Sequence, residues 1–486
     1  MKGGTRLKSG RKAIPDINKK KQHQIYISNN EYNLIIKYGV GKSFSEKSRH
    51  LIDYAIDKKS NSVDTIKFID LFAGMGGIRI GFSKGLERAG IKSECIFSSE
   101  IKDHAINVYH RYFNEKKIYG DITKIESNVI PDFDFLLAGF PCQPFSSAGK
   151  GLGFEDTRGT LFFDIARIIK EKKPYGFLLE NVEGLVNHAN GKTLSTILDV
   201  LEKLNYKVTW KILNAKNFGI PQSRVRIYIV GTKDKKVSLD NLNTKETILN
   251  TILEKGISYK NSNFVNNLLN HYPIENLAGK SIKDKRGGKN NIHSWDIEIK
   301  GETSKDQRKL LSLLLKERRK KKWAELIGIQ WMDGMPLTLK QIQTFFNHNE
   351  LKKLLDDLVK KGYLSLEYPK KMINNTRVYD TKKPKGYNIV AGKLSFEFSQ
   401  ILDPKGVSPT LVATDVSKLG VIDSQGIRQL TIRECLRLCG YPEDYDVSTL
   451  SKKQVFDLIG NTVCVPVIEE ISYGIAINTL SKNRIK

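Results

Sequence analysis

Cys142 stands in "GFPCQPFS" (139–146), with Pro141 before it and Pro144 two residues after. The apolar run "FDFLLAGF" leads into it. The prolines fix φ on both sides of the thiol, so the sulfur is offered at one angle from a stiff loop at a strand's end. A thiolate held that way suits covalent catalysis. Glu180 ends a second apolar run, "YGFLLEN". Burial there raises a carboxyl's pKa and fits it to act as an acid near neutral pH. Asn181 follows, and can hold the loop or a base edge. Arg224 and Arg226 in "QSRVRIYIVG" (222–231) lie two apart on an expected strand, hence on one face. One can steady a carbonyl, and the other a carboxylate or phosphate. Methyl transfer to carbon 5 of a cytosine needs this set. A thiolate adding to carbon 6 makes carbon 5 nucleophilic, an acid protonates ring nitrogen 3, and an arginine holds the carbonyl at position 2. No residue is assigned to removing the carbon 5 proton, for which water is a candidate.

A second set points to a small ligand. "FIDLFAGMGGIRIGF" (68–82) places Gly74, Gly76 and Gly77 where a strand turns into a helix, so the backbone can approach a ligand closely. The spacing is not that of a dinucleotide turn. Glu100 ends the next strand, where an acid can take two ribose hydroxyls. Asp121 in "GDIT" can accept from an adenine amino group. An adenosine ligand without phosphates fits, and S-adenosylmethionine is such a ligand. Alone, each feature has an inert reading: a core thiol, a capped strand end, a solvated arginine face, a tight turn. Their joint occurrence in this order argues for chemistry.

The elements that must position them follow a pattern. Between residues 66 and 232 short apolar runs alternate with amphipathic, helix-like stretches such as "GTLFFDIARIIKEKK". That predicts an α/β fold, a mostly parallel sheet with helices on both faces, whose ligands sit at the carboxyl ends of strands. The chain has 486 residues and a formal charge of +27, from 80 lysines and arginines against 53 acids. Such an excess favours a nucleic acid or an anionic membrane. No apolar run near membrane-spanning length and no signal peptide is read, so nucleic acid is favoured, in a cytoplasmic protein. The five cysteines include no C-x-x-C pair. Cys435 and Cys439, four apart, have no further ligand close by in sequence, and no metal is expected.

With "DTRGTLFF" (156–163), "RQLTIRECLRLCGYP" (428–442) and "GNTVCVPV" (460–467), the motifs above form an ordered series. The chain resembles the DNA (cytosine-5) methyltransferases of bacterial restriction–modification systems, over roughly residues 66–235 and 406–482. The resemblance implies a methyltransferase sheet using S-adenosyl-L-methionine, with Cys142 as nucleophile, Glu180 as acid, and Arg224 and Arg226 beside the cytosine. It implies a cofactor site lined by Phe72, Met75, Gly77, Glu100, Asp121, Ile122, Pro141, Leu161, Asn461 and Val463. The C-terminal "GN" segment is then expected against the Gly turn. The catalytic domain becomes discontinuous (66–235 and 406–486), with a target-recognition domain at 236–405. Double-stranded DNA is the implied substrate, and a cognate restriction endonuclease the functional partner.

Within the insert, 335–368 reads as helix, helix and wing, a winged-helix relative of the helix-turn-helix, or as a plain helical subdomain. At the N-terminus (1–60), a basic arm precedes "HQIYIS" and two short capped helices. This resembles a ribbon–helix–helix module, which would pair two chains through residues 22–58; a simple helical extension is the other reading. Two rival functions share the features above. One is a tRNA cytosine-5 methyltransferase, whose loop usually reads "PPCQP" where this chain has "FPCQP". The other is a DNA-binding regulator with a non-catalytic methyltransferase domain.

Overall fold

The structure, a computed structural model, describes residues 27–61, 65–141, 161–284, 287–329, 334–373, 376–390, 396–423 and 426–480, with backbone alone for 53–61. The basic arm, most of "HQIYIS" and the greater part of the Cys142 loop fall outside them. The chain divides into two units at Asp64. The first contains helices α1 (Asn29–Tyr38) and α2 (Phe44–Asn61), as the sequence leads one to expect. Ser28 closes a capping box with Glu31, and the Ser43 hydroxyl accepts from the Glu46 N–H at 3.2 Å. Helix α1 buries none of its residues.

In the second unit the chain lays down β1 (Ile66–Leu71), α3 (Gly77–Arg88), β2 (Ser93–Ser99), α4 (Asp103–Phe113), β3 (Phe135–Gly139), α5 (Leu161–Lys172), β4 (Gly176–Val182), α6 (Lys192–Lys203), β5 (Lys207–Asn214), β6 (Gln222–Ser223) and β7 (Val225–Thr232). The main sheet has the order β2-β1-β3-β4-β7-β5. It is mostly parallel, as expected; β7 alone runs against its neighbours β4 and β5.

Next come α7 (Asn263–His271), β8 (Ser281–Ile282), β9 (Asn291–Ile292), α8 (Lys305–Glu317), α9 (Lys322–Glu325), α10 (Leu339–Gln343), α11 (Leu351–Lys360), β10 (Leu364–Glu367), β11 (Lys370–Ile373), β12 (Thr376–Tyr379) and β13 (Gly386–Ile389). The chain then forms β14 (Gln400–Leu402), β15 (Ser408–Pro409), β16 (Leu419–Asp423), β17 (Gly426–Gln429), α12 (Ile432–Arg437), α13 (Lys452–Asn461) and α14 (Val465–Ile475). A second sheet, β17-β16-β14-β8-β9, joins strands from both sides of residue 405. Strand pairing thus crosses the edge expected at 405. Val237 and Leu239 also belong to the core of the main sheet.

Alternating side chains give the main sheet its two covered faces. Leu136, Ala138, Phe177 and Leu179 pack with α5 and α6. Phe135, Leu137 and Leu178 pack with α3 and α14. The stretch Lys452–Leu480 is long and apolar enough, by length and composition, to cross a membrane, contrary to the expectation of no such run. It comprises α13 and α14 joined at Thr462–Cys464, and Val467, Ile468 and Ile471 lie in the core with α3 residues Phe82 and Leu86. Cys435 and Cys439 are likewise core residues, and burial pushes both thiols upward.

Candidate active site

A cleft of about 440 Å³ opens at the carboxyl ends of β1 to β4, a volume typical of small-molecule sites. Of the fourteen catalytic and cofactor-site residues that the resemblance implies, thirteen line this one cleft. The other, Cys142, lies outside the described residues, and Pro141 before it is on the cleft wall.

Strand β1 ends where Phe72 takes a left-handed conformation, φ 55°, followed by Gly74 at 54° and Gly76 at 75°. Holding a phenylalanine there costs on the order of 1–3 kcal/mol, a strain typical of functional turns. The Glu100 carboxylate fastens this turn. It accepts from the Gly74 N–H at 2.7 Å and from the Ile101 and Lys102 N–H groups at 2.8 and 2.9 Å. Three of its roughly four lone-pair sites are thus occupied by the chain itself. The expectation that it takes two ribose hydroxyls needs this amendment: Glu100 is first a brace for the Gly turn. Asp121 caps the turn Ile122–Lys124, accepting from the Thr123 N–H and hydroxyl at 3.1 and 2.8 Å. The hydroxyl bond and then the amide bond hold its carboxyl below the usual range, so it is an ionised acceptor at the cleft wall.

Glu180 ends β4 and is buried. Desolvation raises its pKa, opposed by Arg226 and then Arg224. Arg226 Nε stands 3.1 Å from Glu180 Oε1. Asn181 donates its side-chain amide to the Phe140 carbonyl at 2.7 Å, which fixes the start of the cysteine loop. Arg224 behaves differently from its neighbour. It is buried, and its terminal nitrogens donate to the carbonyls of Leu411 (3.2 Å), Gly460 (3.1 Å) and Thr462. Of the two roles expected for the pair, Arg226 takes the carboxylate, and Arg224 clamps the returning C-terminal segment.

That segment completes the cleft with Asn461 and Val463. Asn461 is set by Asp457, whose carboxylate also meets Lys102 Nζ at 2.8 Å and His104 Nε2 at 2.9 Å. A Cβ on Gly77 would lie 2.8 Å from Val463 Cγ2, so the segment does pack on the Gly turn. Sequence reasoning missed the rest of this seam. Gly81 and Gly85 follow Gly77 at four-residue steps, and a Cβ on either would lie 2.5 Å from α14 atoms. The three-fold G-x-x-x-G spacing was the available signal. It also missed Asp70, buried beneath the turn, which accepts from the Tyr109 hydroxyl at 3.0 Å. Desolvation pushes Asp70 up to about 7.

The family profile described as C-5 cytosine-specific DNA methylase matches residues 66–476. The chain is 57% identical over 414 residues to the Type II methyltransferase M.NlaIV of Neisseria lactamica, covering 84% of this chain and 98% of that protein. It is 56% identical to M.NgoBV of Neisseria gonorrhoeae with the same coverage. It is 41% identical to M.BanI of Aneurinibacillus aneurinilyticus, covering 84% of this chain and 94% of that one. Among solved structures, the S. pombe Dnmt2 methyltransferase covers 86% of this chain and 100% of its own, at 16% identity and a TM-score of 0.48. On the profile match and the full-length relatives, the chain belongs to the C-5 cytosine-specific DNA methylases.

Proposed function

We propose that this chain uses S-adenosyl-L-methionine to methylate carbon 5 of a cytosine within a specific sequence of duplex DNA, and so shields that DNA from a partner restriction endonuclease. The observation that carries the reading is the buried Glu180–Arg226 pair in the same cleft as Glu100 and Asp121. One cleft then serves both the base and an adenosine-bearing cofactor. The walls suit the latter: Phe72, Ile122, Leu161 and Val463 are apolar, and Asp121 is an ionised acceptor for an amino group. When bound there, S-adenosyl-L-methionine supplies an electrophilic methyl group.

The chain's own residues do the remaining work. Cys142, as thiolate, adds to carbon 6 of the cytosine and leaves carbon 5 electron-rich; once carbon 5 is methylated, loss of its proton to a base, for which water is the candidate, expels the Cys142 thiolate and restores the ring. Glu180 gives its proton to ring nitrogen 3; burial keeps that proton on the carboxyl to a higher pH than in water. Arg226 steadies Glu180 and can reach the carbonyl at position 2. Asn181 keeps the loop entrance in place through Phe140. Attack on a ring face requires the cytosine to leave the stack, as methyltransferases generally arrange by base flipping. The test is methyl transfer from labelled cofactor to duplex DNA, with protected cytosines mapped by bisulfite sequencing of plasmid from expressing cells. Label on adenine, or none on DNA, would refute the reading.

Residues 22–58 are read as a pairing module. Tyr32, Leu34, Ile36 and Tyr38 on α1 are exposed, and about 40 residues rarely form a stable core without a partner. A second copy of this segment is the partner proposed.

A further inference from the structure

Residues 295–389 have a core of their own. Trp295, Leu310, Leu314, Leu355, Leu358 and Ile389 are fully or nearly buried in one cluster, whose members all lie between Trp295 and Ile389. The order of elements is specific. Helix α8 comes first, the single turn α9 follows it, and Leu337 then makes an antiparallel bridge to Tyr387 of β13. Helices α10 and α11 follow, then β10, the hairpin β11–β12, and β13, which pairs antiparallel with β10. With the one-turn α9 set aside as an insertion, helix, strand, helix, helix, strand, hairpin, strand is the winged-helix order. It extends well beyond the 335–368 span that the sequence suggests.

Two surfaces of this body are unlike the rest. Helix α11 buries Leu351, Leu355 and Leu358 and leaves Lys352, Lys353, Asp356 and Lys360 exposed on its other side. Between Tyr368 and Lys385 the chain carries six cations, Lys370, Lys371, Arg377, Lys382, Lys383 and Lys385, against the single acid Asp380. On the same hairpin Met372, Ile373 and Tyr379 are 43%, 48% and 52% exposed. Bare apolar side chains among cations contribute nothing to a core, but they match a groove edged by phosphates, where cations contact the backbone and apolar residues meet sugars and base edges.

We propose that Trp295–Ile389 is a winged-helix module that reads the target duplex, with α11 in the major groove and the β11–β12 hairpin gripping the adjacent backbone. The proposal rests on the reading of duplex DNA as substrate, and within the expected target-recognition domain it assigns the contacts to α11 and the β11–β12 hairpin. In such a fold the second helix of the pair is the one that enters the groove, and exposed lysine and aspartate side chains can meet guanine and cytosine edges there.

The test uses the full chain. One variant carries Arg377→Gln, Lys382→Gln and Lys385→Gln. A control of equal charge carries Lys207→Gln, Lys235→Gln and Lys236→Gln; Lys207 pairs with Thr232, at the sheet edge away from the cleft. A third variant carries Lys353→Ala and Lys360→Ala. The hairpin variant should bind a target duplex roughly tenfold or more weakly, and the slope of log affinity against log salt should fall by about 2 to 3. The control should keep both. The α11 variant should methylate additional cytosines in a genome-wide bisulfite map, with preference for the native site reduced by roughly tenfold to a hundredfold. In the unaltered protein, bound target duplex should protect Lys382 and Lys385 from acetylation, a readout that does not depend on any variant folding. Equal losses in hairpin variant and control, or unprotected hairpin lysines, would overturn the inference while methylation by the wild type stands. Absence of methylation by the wild type would instead remove the functional reading beneath it.

Discussion

Replacing Arg224 by lysine separates a clamp from a catalytic group. The guanidinium donates to three carbonyls, those of Leu411, Gly460 and Thr462, which lie 187 to 238 residues further along the chain. A lysine ammonium is a point donor and can keep about one of them. Hydrogen bonds to charged groups contribute about 1.5–3 kcal/mol each, so losing two weakens the closure by roughly 3–6 kcal/mol. For a large domain that corresponds to a fall in melting temperature of about 6–12 °C, at roughly 2 °C per kcal/mol. The segment released carries Asn461 and Val463, which wall the cleft. The assay is steady-state methylation of a target duplex over a range of S-adenosyl-L-methionine, beside a thermal melt. Arg224→Lys should raise KM for the cofactor and lower the melting temperature, with kcat recovering to within a few-fold at saturation. An unchanged melt and KM with kcat down by more than tenfold would refute the clamp and return Arg224 to the chemistry.

Cys142→Ser should abolish methylation and leave cofactor binding nearly intact, since an alcohol is far less ionised than a thiol at neutral pH; turnover within tenfold of wild type would sink the covalent mechanism. Glu100→Ala should weaken cofactor binding by one to two decades, from an interaction of about 1.5–3 kcal/mol, and should also loosen the Gly74 turn, so calorimetry with cofactor and with DNA should show loss in the first only. Asp70 has its folded pKa raised from 3.8 to about 7 by burial, so its contribution to stability is present below pH 4 and is lost as pH rises through 7. Asp70→Asn should accordingly gain on wild type by roughly 3 kcal/mol between pH 5 and pH 8; a pH-independent difference in denaturation midpoint would contradict that. A protein beginning at Asn61 should still methylate its site but sediment as a monomer, whereas a full-length chain already monomeric at micromolar concentration would dispose of the pairing module.

The cleft was legible in the sequence because its parts are local. A glycine turn, a proline-flanked cysteine and an acid at the end of an apolar run each announce a strand's end, and the parallel sheet collects such ends on one edge. Strand direction was not legible: "RVRIYIVG" reads the same way up or down, and only the sheet shows that β7 is reversed. The clamp was hidden for another reason. Arg224 and Arg226 are of one type, two residues apart, yet their partners lie on remote segments that no local pattern joins. The brace at Glu100 was hidden likewise: its position at a strand's end was visible, while the three amides it accepts from were not. The pairing of β14 with β16 across residue 405 was not legible either, because composition records the surface and not the partners of a strand.

The returning chain is held at more than one point, and this bears on how the catalytic domain tolerates so long an interruption. Gln222, next to the active-site arginines, donates to the Leu438 carbonyl at 2.7 Å and accepts from the Leu411 N–H at 3.0 Å. Strand β15 pairs with β6, Ser408 opposite Gln222, and α14 closes on the glycine face of α3. The chain that leaves after β7 therefore comes back to within hydrogen-bonding distance of where it left. Once its ends are pinned, the closure entropy of an excursion grows only with the logarithm of its length, about 0.6 kcal/mol for each doubling. A segment with a core cluster of its own, such as Trp295–Ile389, buries its apolar side chains without drawing on the cleft. The arginine, the glutamine and the α3–α14 seam thus do together what an unbroken chain would do: they keep Asn461 and Val463 beside Gly77 whatever length of chain is inserted between.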